Sequence, residues 1–156
     1  MKTKPHIKTS TTKLSLKNIL VPIDFSNHSR KALHYAVPLA AQNGARIILL
    51  HVVGKMVVYP TEMGTVISDE KETIASAHKQ LAAMAQKSIP GPLRGKVLTR
   101  VGEPFDEITG LAKHLKAGLI ICTTHGYTGL AHVLLGSTAE RIVRHAPCPV
   151  LTIKVR

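Results

Sequence analysis

Tryptophan is absent from this chain, and phenylalanine and tyrosine together supply only 3% of it. The core must therefore be aliphatic, and the aromatic platforms that read single-stranded nucleic acid are missing. Cysteine occurs twice, at Cys122 and Cys148; both are expected to be reduced, partly buried thiols. The nine histidines are scattered and form no HxxxH or HExxH pattern, so no metal site built from protein ligands alone is expected. No apolar run approaches the roughly 18 residues needed to cross a bilayer. The basic N-terminus lacks the apolar centre of a secretory signal, and a cytoplasmic location is the expectation.

Acids are also scarce: nine Asp and Glu stand against 21 Lys and Arg, a net charge of +12. That balance asks for an acidic partner, with nucleic acid the first candidate. The charge is nonetheless spread rather than striped. Lys2, Lys4, Lys8, Lys13 and Lys17 lie in or just after a polar tail with no acid among the first 17 residues, and the rest occur singly. A soluble basic surface with a flexible tail over residues 1–16 is the preferred reading, and the pattern argues against a dedicated nucleic-acid site.

What is present is a regular alternation. A chain of 156 residues fits one domain that buries about two-thirds of its unfolded surface. Residues 18–24 (NILVPID) form a continuous apolar run, the mark of a strand covered on both faces. Ser26 is placed to cap a helix carrying Ala32, Leu33, Ala36, Val37, Leu39 and Ala40, which Asn43 and Gly44 end. A second buried strand runs over 46–53, followed by a variable loop over 54–67. Ser68 or Asp69 opens a long helix with Ile74, Ala77, Leu81 and Met84 at helical spacing. Pro90 stops it. An alternating strand over 97–101, nearer an edge, leads through Gly102 and Pro104 into a helix bearing Ile108, Leu111 and Ala112. A strand over 118–122, a glycine loop, a helix over 137–145 and a strand over 150–155 complete the chain.

Five strands alternating with four helices predict an α/β fold: a single, open, doubly wound parallel sheet. Ligands of such folds sit outside the carboxyl ends of the strands, where the winding reverses. Asp24 after the first strand and Thr123 after the fourth would share that crevice. Between Thr123 and Thr138, Gly126, Gly129 and Gly136 permit close approach of a ligand to the backbone. Ser137-Thr138-Ala139-Glu140 matches a capping box with Ser137 at the N-cap, so the helix start would point its free N–H groups and positive dipole end at the loop. Two readings stand: a phosphate cradle, or glycines that shape a long loop before a capped helix. The pattern is neither a Walker A loop nor a dinucleotide fingerprint. His125 reads as loop lining, and Arg141, Arg144 and His145 as cations that suit a helix C-terminus.

The segments NILVPIDFS, ILLHVV, VGEPFDEI and GSTAERIVRHAPCPVLTIK, in that order, resemble the universal stress protein family over residues 17–155. The resemblance implies a domain over 17–156 with sheet order 3-2-1-4-5, similar to the adenine-nucleotide alpha-hydrolase fold. In one branch of the family it implies ATP, with Mg or Mn held by the phosphates, bound through a G-2x-G-9x-G-S/T loop. Asp24 matches the aspartate that contacts adenosine, beside Pro22 and Ile23, and Val52 matches a backbone position meeting adenine. Gly126, Gly136, Ser137 and Thr138 match phosphate and ribose contacts, with Gly129 inside the same loop. One position departs: the first glycine falls on Thr123, giving T-2x-G-9x-G-S. A left-handed backbone there would cost threonine about 1–2 kcal/mol; otherwise its side chain narrows the cleft or donates a hydroxyl to phosphate.

The resemblance also implies a homodimer paired through residues 149–155, with Lys154 guarding that edge in the monomer. A regulatory adenine-nucleotide module of the stress response, acting on an unknown protein partner, is the leading expectation. The 123–138 loop contains no acid, and phosphoryl transfer needs metal-holding carboxylates and a base, so at most a weak ATPase is expected. The alternatives are a dimeric stress protein that binds no nucleotide and acts through protein contacts, or a slow ATPase.

Overall fold

The computed structural model describes residues 16–55, 70–124 and 136–154. Five strands, β1 (Asn18–Pro22), β2 (Arg46–Val53), β3 (Arg94–Val101), β4 (Leu119–Thr123) and β5 (Val150–Ile153), alternate with four helices, α1 (Asn27–Asn43), α2 (Glu70–Ser88), α3 (Pro104–His114) and α4 (Ser137–His145). All strand pairs are parallel, in the order β3-β2-β1-β4-β5. Fold class and strand order therefore match the sequence expectation. The winding reverses between β1 and β4, which pair through Ile19 with Leu119 and Leu20 with Ile120.

The continuous aliphatic runs divide by parity, because successive side chains of a strand point to opposite faces. Ile19, Val21, Ile47, Leu49, Leu119 and Ile121 pack with Ala32, Leu33 and Ala36 of α1 and Leu81 and Ala85 of α2. Leu20, Ile48, Leu50 and Ile120 pack on the other face with Ile108 and Leu111 of α3 and Ile142 of α4. Each Ile, Leu or Val side chain buried this fully contributes about 1.5–3 kcal/mol relative to exposure. Two aliphatic cores thus clamp the central strands, and their carboxyl ends are the part of the sheet left open.

Local signals place the ends. Ser26 caps α1 by accepting from the Ser29 N–H at 3.1 Å, and Gly44 closes it with φ 62°. The opening of α2 expected at Ser68 or Asp69 lies outside the described residues. β1 ends at Pro22 rather than residue 24, and β4 runs Leu119–Thr123 rather than 118–122; two further differences have a visible physical cause. β3 begins at Arg94 rather than Val97, with a register irregularity in its pairing to β2 between Ile47 and Leu49. A Cβ on Gly95 would sit 2.7 Å from the Ile47 carbonyl oxygen, so the missing side chain is what lets the strands meet there. Arg94 donates from Nη2 to the carbonyl of Ile89 at 2.9 Å, tying the start of β3 to the chain leaving α2.

The second difference is at α4. Its N-cap is Gly136, not Ser137, and no side chain caps it. The Gly136 N–H donates to the Thr124 carbonyl at 2.6 Å, so a bond to the end of β4 sets where this helix starts.

Candidate functional site

A cleft of about 300 Å³ opens at the carboxyl ends of β1, β2 and β4, walled by α3 and by the first turn of α4. The chain after β1 supplies Asp24, whose Oδ1 accepts from Ser26 N–H at 3.0 Å and from Ser26 Oγ at 2.5 Å. The same Ser26 hydroxyl accepts from Ser29 N–H, and buried Ser29 donates back to the Ser26 carbonyl at 3.1 Å. Asp24 does not cap α1 itself. It orients the serine that does, and is thereby held at the cleft wall.

Between Asp24 and Ser26 stands Phe25, with φ 63°. A left-handed conformation in a bulky residue stores strain of about 1–3 kcal/mol and persists only where its surroundings enforce it. Here its ring rests on His51, with centroids 4.4 Å apart. His51 Nδ1 lies 2.7 Å from the Ile23 carbonyl. A carbonyl only accepts, so Nδ1 carries the proton. The strained turn is thus locked from β2, and Asp24 faces the cleft on a rigid support.

On the opposite side β4 delivers Cys122, Thr123 and Thr124. Thr123 is a strand residue paired with Ile153. Among the described non-glycine residues only Phe25 and Lys116 have positive φ. Thr123 therefore carries no left-handed strain, and its effect is the steric and hydroxyl one: its side chain lines the cleft. Thr124 donates its N–H to Ile153 and accepts from Gly136, fixing the start of α4 beside the end of β4.

The first N–H groups of a helix have no intrahelical acceptor. At α4 these belong to the turn of Ser137, Thr138 and Ala139, all of which line the cleft. With no side-chain cap, the Ser137 hydroxyl is not spent on its own helix end. Arg141 holds α4 against α3, its guanidinium 4.1 Å above the Phe105 ring and 3.5 Å from Glu103, and His145 meets the edge of the same ring. Arg144 pairs with Glu140 at 3.0 Å. Arg144 and His145 lie in the last turn of α4, where cations are expected; Arg141 sits earlier and serves the contact with α3 instead.

Of the sequence-predicted site, Pro22, Ile23, Asp24, Val52, Thr123, Gly136, Ser137 and Thr138 are brought together around the one cleft. Gly126, Gly129 and His125 lie outside the described residues. Sequence reasoning missed Ser29, Thr124, Cys122, and Pro104 and Ile108 of α3. Ser29 could have been found from the cap spacing that starts at Ser26; the α3 wall has no sequence signal, because it depends on how α3 leans on α4. The described lining holds one carboxylate and five hydroxyl side chains, with no Lys, Arg or His. An anion there rests on backbone N–H groups, the helix dipole and hydroxyls.

The two thiols differ. Cys122 is 6% exposed in the cleft wall, and burial pushes its thiol up to about 11. Burial also raises Cys148, opposed by a backbone hydrogen bond at Ile120.

The model of the Universal stress protein family matches residues 15–154. The chain belongs to that family. It is 35% identical over 144 residues to a universal stress protein of Methanocaldococcus jannaschii, covering 88% of this chain and 82% of that protein. The universal stress protein UspA of Lactobacillus plantarum superposes with a TM-score of 0.76 at 29% identity, over 88% of this chain and 97% of its own. Two further universal stress protein structures share the fold at 22% identity: a complex with cAMP (TM-score 0.62, 90% of this chain and 98% of that one) and one from Archaeoglobus fulgidus with dAMP (TM-score 0.58, 90% and 99%). Among the described residues no helix is long and apolar enough to cross a membrane.

Proposed function

We propose that this universal stress protein is a cytoplasmic adenine-nucleotide-binding regulatory module of a stress response, with ATP as its ligand. The observation that carries the reading is the pairing of Asp24 with the uncapped first turn of α4 across one cleft at the switch point. A carboxylate suits ribose hydroxyls, and the helix start suits phosphate. Apolar Ile23, Leu50, Val52 and Ile108 offer the base a dry wall. Solved relatives in complex with cAMP and dAMP support the class of ligand.

The residues present fit a phosphate-borne Mg or Mn ion. Ser137 and Thr138 supply hydroxyl oxygens at the helix start and Thr123 another at the end of β4, and the described residues contain no cluster of three His, Cys, Asp or Glu that would hold an ion by itself. The ion would neutralise phosphate charge that no cation of the described lining offsets. With Asp24 the one carboxylate of the described lining, hydrolysis is expected to be weak at most. Denaturing the purified protein should release adenine nucleotide, and the emptied protein should bind ATP saturably in calorimetry. No released nucleotide together with no saturable binding defeats the reading.

The module works as a homodimer paired through residues 149–155. β5 is an outer strand of the sheet, and Leu151 on it is 39% exposed, with Val143 of α4 at 48%. An apolar edge strand of this kind calls for a partner strand. Leu151→Lys should shift the protein to monomer in sedimentation velocity with its helical and sheet signal intact; a variant still dimeric at micromolar concentration counts against this interface.

A further inference from the structure

Away from the cleft lies a trough of about 770 Å³ between α1 and α2. Both helices cover the same face of the sheet, and each rests mainly on the strands beneath rather than on the other. Buried Leu33 and half-buried Val37 and Met84 form an apolar floor. The described walls carry Arg30, His34 and Lys87 and no acid. Arg30, His34 and Pro38 recur at four-residue spacing on α1, as Gln80, Met84 and Ser88 do on α2, so two straight helical stripes face the trough.

Arg30 and Lys87 are the cations of these walls, with the His34 imidazole on the same rim as Arg30. None forms an ion pair among the described residues. The first turn of α1 holds no acid, and Arg30 and Lys31 fall within its first five residues, where the positive end of the helix dipole disfavours a cation. Arg30 thus stands against its own helix dipole, whereas Lys87 lies in the last turn of α2, where a cation is favoured; among the described lining of this apolar-floored groove no acid meets either.

We infer that the trough docks an acidic amphipathic helix of a partner protein. A gap between two helices receives a third by setting its side-chain ridge into the groove. Apolar residues at i, i+3, i+4 and i+7 reach Leu33, Val37 and Met84, and flanking Asp or Glu meet Arg30, His34 and Lys87. Residues 1–15 of this chain are excluded as the occupant by sign, since they carry Lys2, Lys4, Lys8 and Lys13 and no acid. A second copy on a two-fold axis would set the same cations against one another. A flat lipid surface would reach the rims and leave the apolar floor unfilled. The trough shares no lining residue with the nucleotide cleft.

The test is selection of displayed, helix-forming random peptides of about four turns on the full wild-type chain. Enriched peptides should carry the apolar spacing flanked by Glu or Asp. Their synthetic, fluorescent copies should lose about tenfold or more in affinity on the Arg30→Glu, Lys87→Glu double variant, and equally on Ala83→Arg, which fills the trough. These positions are exposed, so unchanged thermal melts and unchanged release of adenine nucleotide on denaturation certify the variants. Neutral or basic winners, or acidic ones that bind both variants as they bind wild type, overturn the proposal. So does capture on anionic phosphatidylglycerol vesicles that the double variant loses while no peptide is enriched, which makes the trough a lipid-binding face. Self-association lost in the double variant would make it a contact between copies.

Discussion

Asp24→Ala is expected to weaken ATP binding by about 10- to 100-fold, the loss of one charge-assisted hydrogen-bonding group worth about 1.5–3 kcal/mol. A carboxylate offers about four lone-pair sites, so anchoring on Ser26 is compatible with accepting from ribose hydroxyls. The substitution also removes the acceptor that orients the Ser26 cap, which costs about 1 kcal/mol and lowers the melting temperature by about 2–4 °C. Asp24→Asn separates the two effects. Its amide oxygen still accepts from Ser26, so the melt should recover most of that loss, while affinity should stay well below wild type because the charge is gone. Calorimetric titration of ATP alongside thermal melts of the three proteins makes the comparison. If Asp24→Ala binds ATP as wild type does and only its melt is lowered, the carboxylate serves the turn alone, and the cleft reading loses one of its two supports.

The central strands were legible because β1, β2 and β4 carry short uninterrupted aliphatic runs, such as Ile19 to Val21 and Ile47 to Leu50, of the length and kind a doubly covered strand asks for. The loops at the switch point followed from their order. The features that escaped were set by tertiary partners. The start of β3 at Arg94 depends on Gly95, whose missing side chain makes room for the Ile47 carbonyl of the neighbouring strand. Ser137-Thr138-Ala139-Glu140 obeys the capping-box pattern, yet the Gly136 bond to Thr124 starts the helix one residue earlier in the motif and leaves Ser137 to the cleft. Thr123 breaks a glycine pattern and would suggest backbone strain, but its place in β4 leaves only the size and hydroxyl of the side chain to matter. The strain lies instead at Phe25, in a segment that reads as an ordinary strand exit; the His51 ring and the Ile23 carbonyl that enforce it come from another strand and an earlier residue.

Cys122 supplies the second large effect, this time on stability. Its folded thiol titrates at about 11 against 9.0 for an unperturbed one, and the cause is burial. Between those values the unfolded chain gives up its proton while the folded chain keeps it, so the native state binds more protons and stability falls as pH rises. The contribution is intact below pH 9 and drains away through about 11, amounting to about 2–3 kcal/mol at 1.36 kcal/mol for each pH unit. Stability of the whole chain in alkaline solution has more than one source, so the informative quantity is the difference between wild type and Cys122→Ala in urea unfolding. Below pH 9 that difference should be flat, reflecting only the lost side-chain volume; above it the wild type's advantage should shrink steadily. Curves that stay parallel would mean the thiol is not held neutral by its surroundings. The same burial bears on the cleft. A thiol that remains protonated far above neutral pH presents an uncharged, unreactive wall beside Thr123. An anionic ligand entering past it meets no thiolate, and alkylating reagents should label the less buried Cys148 first.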